Sequence, residues 1–113
     1  MKKKILIVVS DYYKDISTDL LKSTKKHLNK KTNFKIIKVP GVFEIPVIIS
    51  KNIKKFDGFI AIGCVIRGKT AHFDLISKSV IDAIMNISID NKKPVGNCIL
   101  TCFNYKQALA RKK

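Results

Sequence analysis

Acidic residues are scarce in this chain: eight Asp and Glu stand against 23 Lys and Arg, a net charge of +15 over 113 residues. Such an imbalance ordinarily points to nucleic acid or another acidic surface. The kind of base argues otherwise. Twenty-one of the bases are Lys, only Arg67 and Arg111 are Arg, and Glu44 is the sole Glu. The lysines are scattered from Lys2 to Lys113 with little aromatic interleaving, so no nucleic-acid interface is expected. A composition this rich in Lys, Ile and Asn reads as the codon bias of an AT-rich genome. Long apolar runs are also lacking, and none approaches the roughly 20 residues that span a bilayer. After Met1-Lys2-Lys3-Lys4 only Ile5 to Val9 are apolar, too few for a secretion signal, which implies a cytoplasmic protein without a membrane partner. Cysteine is limited to Cys64, Cys98 and Cys102, an odd number without CxxC or metal-ligand spacing. They are expected to be reduced core thiols, with no metal bound.

Hydrophobic residues make up 46% of the chain and charged residues 27%, an ordinary globular balance, and the length suits a single domain over residues 1–113. A short apolar run, a turn and a segment with helical spacing recur along it. Ile5 to Val9 is apolar throughout, as in a strand buried on both faces. Ile16, Leu20, Thr24 and Leu28 then fall on one helix face. Phe34 to Val39, interrupted by Lys35 and Lys38, predicts a strand nearer an edge, ended by Pro40-Gly41. Glu44 to Phe56 predicts a helix carrying Ile45, Ile48 or Ile49, Asn52 or Ile53, and Phe56, with Pro46 tolerated in its first turn. Gly58 to Ile66 is the most apolar stretch and the expected central strand. Phe73, Ile76, Val80, Ile84 and Ile87 form a further helical stripe, Pro94-Val95 to Thr101 a fourth strand, and Tyr105 to Arg111 the beginning of a short last helix.

Four strands alternating with helices predict a doubly wound α/β sandwich with right-handed crossovers. Ligands of such sheets bind outside the carboxyl ends of the strands. The segment after the third strand, Arg67-Gly68-Lys69-Thr70-Ala71-His72-Phe73-Asp74, combines a glycine turn, a helix-capping threonine and a lysine, a natural seat for phosphate. His72 in that first turn can exchange a proton at neutral pH beside a bound phosphate ester. Read alone, the same residues also suit a plain cap and a solvated histidine. After the second strand, Pro40-Gly41-Val42-Phe43-Glu44-Ile45-Pro46 is a turn stiffened by two prolines. It either presents fixed backbone groups and an aromatic wall to a planar polar ligand or is simply an efficient turn with Glu44 at a positive helix end.

These two motifs, with Gly63-Cys64-Val65-Ile66 before the second of them and Leu100-Thr101, Gln107-Ala108 and Arg111 after it, resemble the 6,7-dimethyl-8-ribityllumazine synthases of riboflavin biosynthesis over nearly the whole chain. The resemblance implies a flavodoxin-like three-layer sandwich with a four-stranded parallel sheet. It implies a transferase that condenses 5-amino-6-(D-ribitylamino)uracil with 3,4-dihydroxy-2-butanone 4-phosphate, without metal or organic cofactor. It places Tyr12 as the ring that stacks on the pyrimidine, and Val42, Phe43 and Glu44 around the ribityl chain and ring. Cys64, Val65 and Ile66 would line the pocket with backbone groups, Lys69, Thr70 and Arg111 would hold the phosphate, and His72 would transfer protons. Asn97 stands where the family often has Phe, at a position that touches the neighbouring subunit's ligand. Arg67 reads as structural.

Tyr12-Tyr13 replaces a more usual Phe-Asn or Trp-Asn, and Lys69 stands where Glu, Asp or Ala is common. The family usually continues past the arginine into a closing C-terminal helix, whereas this sequence stops at Arg111-Lys112-Lys113. A sheet with one face short of cover implies a homo-oligomer, in the family a pentamer or a shell of pentamers with sites between subunits. Riboflavin synthase stays open as a further partner. The alternative function is a truncated paralogue that keeps the fold as a binding or assembly protein with little activity.

Overall fold

The computed structural model describes residues 3–28, 32–66, 72–102 and 104–111, with backbone only for 72–74. Strand β1 (Lys4–Ser10) leads into helix α1 (Lys14–His27), strand β2 (Asn33–Val39), a 3-10 turn (Val42–Glu44) and helix α2 (Ile45–Lys51). Strand β3 (Gly58–Ile66), helix α3 (His72–Asn91), strand β4 (Val95–Cys102) and helix α4 (Tyr105–Arg111) follow. The strands form one all-parallel sheet in the order β2-β1-β3-β4. This is the flavodoxin-like order, in which the chain adds strands first to one side of β1 and then to the other.

The two central strands are continuous apolar runs because both of their faces meet helices. Leu6, Val8, Phe59 and Ala61 point to a core closed by Ile45 and Ile49 of α2 and by Val80 and Ile84 of α3. Ile7, Val9 and Ile62 point the opposite way, with Leu20 and Leu21 of α1 packed on them. Ile16, Cys64, Cys102 and Ala108 continue that second layer between α1 and α4. Leu6, Ile7, Val8 and Val9 are each at most 1% exposed. Burying a side chain of this kind contributes about 1.5–3 kcal/mol, so β1 alone anchors both layers.

α1 carries Asp15 in its first turn and Lys25, Lys26 and His27 in its last, the charge order that complements a helix dipole. The helix expected over 44–56 is shorter. It ends at Asn52, whose Nδ2 donates to the Ile48 carbonyl at 2.8 Å while its backbone N–H is shared between the Ile48 and Ile49 carbonyls. Asparagine competes for helix carbonyls in this way, and the chain leaves in a turn. Ile53 and Phe56 still pack on the core. The carbonyls of Ile53 and Phe56 are taken up by Lys93 Nζ at 2.6 and 2.9 Å, which ties this turn to the start of β4. α3 closes with Lys92 at φ 54°, followed by Lys93 N to Ser88 O at 3.2 Å and Lys92 N to Ile89 O at 3.3 Å. That pair is a Schellman motif with lysine in the position glycine usually takes. Asn104 caps α4, its Oδ1 accepting from Gln107 N at 2.9 Å. The cysteines are free thiols, but Cys98 is half-buried rather than fully in the core.

Candidate active site

The order of the sheet reverses between β1 and β3, and a crevice outside their carboxyl ends is where doubly wound sheets hold ligands. β1 pairs with β3 from Ile5↔Gly58 to Val9↔Ile62. β3 then runs four residues further, paired with β4 on its other edge through Ile66↔Cys102. The β1-side edge of Gly63 to Ile66 therefore faces the crevice, and no strand of the described residues pairs with it. Backbone donors and acceptors are held there on a rigid strand.

Two described segments flank this edge. At the end of β1, Ser10 is buried and its carbonyl accepts from the Ser17 hydroxyl, while Asp11 N donates to Val39 O at 2.9 Å. These bonds turn the chain outward so that Tyr12 is 73% exposed. At the end of β2, Pro40-Gly41 leads into the 3-10 turn, closed by Glu44 N to Gly41 O at 3.2 Å. Val42 is buried against Gly63, whereas Phe43, 63% exposed, and Glu44 face outward. The Glu44 carboxylate curls back over Gly41 and meets no cation among the described residues. An aromatic ring, a carboxylate and a strand edge thus surround one crevice, a set suited to a planar polar molecule with hydroxyl groups.

Of the residues expected to act here, Tyr12, Phe43 and Glu44 stand exposed on the segments that follow β1 and β2, Val42 packs beneath them against Gly63, and Val65 and Ile66 offer the open main-chain edge of β3 while their side chains pack into opposite layers. The Cys64 side chain points into the layer between α1 and α4 beside Cys102, so Cys64 can offer only its main chain. Burial, and next to it the neighbouring Cys102, pushes the Cys64 thiol up to about 12, far from a nucleophilic thiolate. Lys69 and Thr70 lie outside the described residues, as does Arg67. His72 opens α3, and its side chain is likewise outside them. Arg111 ends α4, where its guanidinium reaches Thr101 O at 3.5 Å and Cys102 Sγ at 3.8 Å. It also borders a groove of about 470 Å³ between α1 and β4, lined by Leu20, Leu28, Cys98 and Leu100. β3 stands between that position and β1. Asn97 lies in mid-strand opposite Ala61, its Oδ1 accepting from Ile99 N at 3.0 Å, away from the crevice of its own chain. A larger groove of about 760 Å³ lies at the opposite end of the sheet, beside Lys4, Phe34 and Phe56.

Sequence reasoning missed two supports. Gly63 inside an apolar strand is the usual sign of a close approach, here by Val42. Tyr13 and Tyr105 have no motif to reveal them. Tyr13 is half-buried beside Tyr12, and burial, followed by Tyr12, raises its phenol pKa. Tyr105 donates to Asp15 Oδ2, a bond that raises its own pKa. Among the described residues, no group of His, Cys, Asp or Glu is arranged to hold a metal ion.

Comparison with known proteins agrees with this architecture. Residues 2–113 match the 6,7-dimethyl-8-ribityllumazine synthase family. A 6,7-dimethyl-8-ribityllumazine synthase of Bartonella tribocorum is 40% identical, with all of this chain and 79% of the relative aligned. One of Bartonella henselae is 42% identical over 99% of this chain and 76% of its own length. One of Agrobacterium fabrum is 38% identical over 97% and 80%. With the parallel sheet, the stiffened turn after β2 and the match across the whole chain in agreement, this chain belongs to the 6,7-dimethyl-8-ribityllumazine synthase family.

Proposed function

We propose that this chain condenses 5-amino-6-(D-ribitylamino)uracil with 3,4-dihydroxy-2-butanone 4-phosphate to 6,7-dimethyl-8-ribityllumazine, with release of phosphate and water. The observation that carries the reading is the crevice at β1 and β3, where Tyr12, the Val42–Glu44 turn and the open edge of Gly63 to Ile66 converge in a chain of this family. Tyr12 stacks on the pyrimidine. The strand edge and the main chain of Val42 and Phe43 bond its polar atoms, and Glu44 accepts hydrogen bonds from ribityl hydroxyls. The primary amine of the uracil attacks the ketone, and loss of water leaves an imine. Departure of phosphate follows, and attack of the ribitylamino nitrogen on the remaining carbonyl closes the second ring with loss of a second water.

Each of these steps moves protons, and His72 at the start of α3 is the residue assigned to move them. Lys69 and Thr70, next to the positive end of the same helix, hold the phosphate. Arg111 adds a planar fork of donors that suits phosphate better than lysine does. Its distance from the crevice by one intervening strand, and the outward position of Asn97, favour sites completed by a neighbouring subunit. Val47, Leu75, Met85 and Ile89 are all exposed on the α2 and α3 side, an apolar surface that a homo-oligomer of pentamers would cover. A cytoplasmic location belongs to the same proposal; no described helix is long and apolar enough to cross a membrane.

Purified protein mixed with both substrates is expected to form the fluorescent lumazine, and His72→Ala to slow this about 100-fold, the usual scale of general acid–base help. A wild-type protein without turnover overturns the reading. Light scattering checks the assembly: a stable, monodisperse monomer contradicts it.

A further inference from the structure

Beside the crevice, three tyrosines and an aspartate form a chain of contacts that joins two distant helices. Tyr12 and Tyr13 meet edge to face, with ring centroids 4.9 Å apart and planes at 80°. Tyr13 in turn lies against Tyr105 at 6.3 Å and 50°. The Tyr105 hydroxyl donates to Asp15 Oδ2, across 90 positions of sequence. Beneath them Ala108 is buried with Ile16 and Cys102, which seats α4 on α1.

An aromatic ring that is mostly exposed is free to rotate unless neighbours hold it. Tyr13 occupies the N-cap position of α1 but makes no side-chain capping bond, so its ring is not spent on the helix end. It is wedged between Tyr12 and Tyr105 instead. Edge-to-face contact is a preferred geometry of aromatic pairs and fixes the angle between the two planes. The bond to Asp15 fixes Tyr105, the far end of the series.

We propose that Tyr13 and Tyr105 are positioning residues for the pyrimidine substrate, bracing the Tyr12 ring at its stacking angle with Asp15 locking the brace. The inference rests on the reading of Tyr12 as the stacking ring. Neither Tyr13 nor Tyr105 touches the substrate, and both act through Tyr12.

Steady-state kinetics with the two substrates varied separately test the brace in the full chain. Tyr13→Ala is expected to raise KM for the aminouracil roughly 3- to 10-fold, the scale of one lost aromatic pair, while KM for the butanone phosphate does not follow. Tyr13→Phe keeps the ring and is expected to restore the wild-type value. Tyr105→Phe, which loses only the bond to Asp15, falls between. Equal rises in both KM values, or a Tyr13→Phe no better than Tyr13→Ala, overturn the proposal. A second readout needs no turnover: in protein with 13C-labelled tyrosine, Tyr105→Phe should shift and broaden the Tyr12 ring resonances. Unchanged Tyr12 resonances also overturn it. A wild type without turnover whose Tyr12 resonances still respond sinks the enzymatic reading and upholds the brace.

Discussion

Val42 occupies the space that a side chain on Gly63 would need: its Cγ1 stands 2.6 Å from where that Cβ would be, and Ser10 Cβ stands 3.1 Å away. The turn after β2, the end of β1 and the crevice edge of β3 therefore meet at one glycine. Gly63→Ala should cost about 1–3 kcal/mol through overpacking and displace the 3-10 turn, weakening turnover as well. Gly96 is the control, because a Cβ there meets Ile60 at an ordinary 3.7 Å. Urea denaturation of the two variants checks the contrast; equal stabilities would refute the contact.

Cys64 predicts how stability depends on alkaline pH. Burial first, and Cys102 second, raise its pKa in the folded protein from 9.0 to about 12. An acid whose folded pKa is raised holds its proton more tightly when folded, so its contribution is complete below about 9 and is lost as pH climbs toward 12. The slope from one such group is at most about 1.4 kcal/mol per pH unit. Cys98 and Tyr13, also raised by burial, add to the decline. Cys64→Ala should flatten the profile measured by denaturant titration between these limits, and in the native wild type at pH 8 this thiol should resist a disulfide reagent.

Lys92 sits at φ 54°, a conformation that glycine adopts without penalty and lysine does not. Lys92→Gly is expected to stabilise the protein by about 0.5–1 kcal/mol, read as a higher urea midpoint with an unchanged slope.

Among the described residues Arg111 is held by contacts at 3.5 and 3.8 Å, the outer limit of hydrogen bonding, which its guanidinium can exchange for a stronger partner. Arg111→Lys keeps the charge and loses the fork. KM for the butanone phosphate should rise about 10-fold, the scale of one charge-assisted hydrogen bond, with thermal stability unchanged. A loss of stability without a change in KM would make Arg111 structural.

The sheet was legible because its two central strands, β1 and β3, are nearly free of polar residues. Gly58 to Ile66 and Tyr105 to Arg111 coincide with β3 and α4, and the lysines of Phe34 to Val39 marked the edge strand β2. Periodicity misjudged α2, because Ile53 and Phe56 reach the core from a turn, where they mimic helical spacing while Asn52 has already ended the helix. Val42, Phe43 and Glu44 stood out as a stiffened turn motif, whereas Tyr12 was named only through the family resemblance. The direction of the Cys64 side chain depends on strand parity relative to a helix that arrives 40 residues later, and the Tyr105 bond to Asp15 on the meeting of the first helix with the last. No local signal carries either.

The place of β1 inside the sheet also governs the order in which the protein can be made. Its two neighbours, β2 and β3, both come later in the chain, and β3 is complete only at Ile66. A chain growing on the ribosome can pair β1 with β2 early, but the other edge of β1 stays unpaired until more than half of the sequence has emerged. Long-range parallel pairing of this kind is slow and leaves sticky intermediates. Nascent chains arrested before Gly58 should therefore be bound by chaperones, and those arrested well beyond Ile66 released, so the step that closes the central pair of strands is also the one that ends dependence on help.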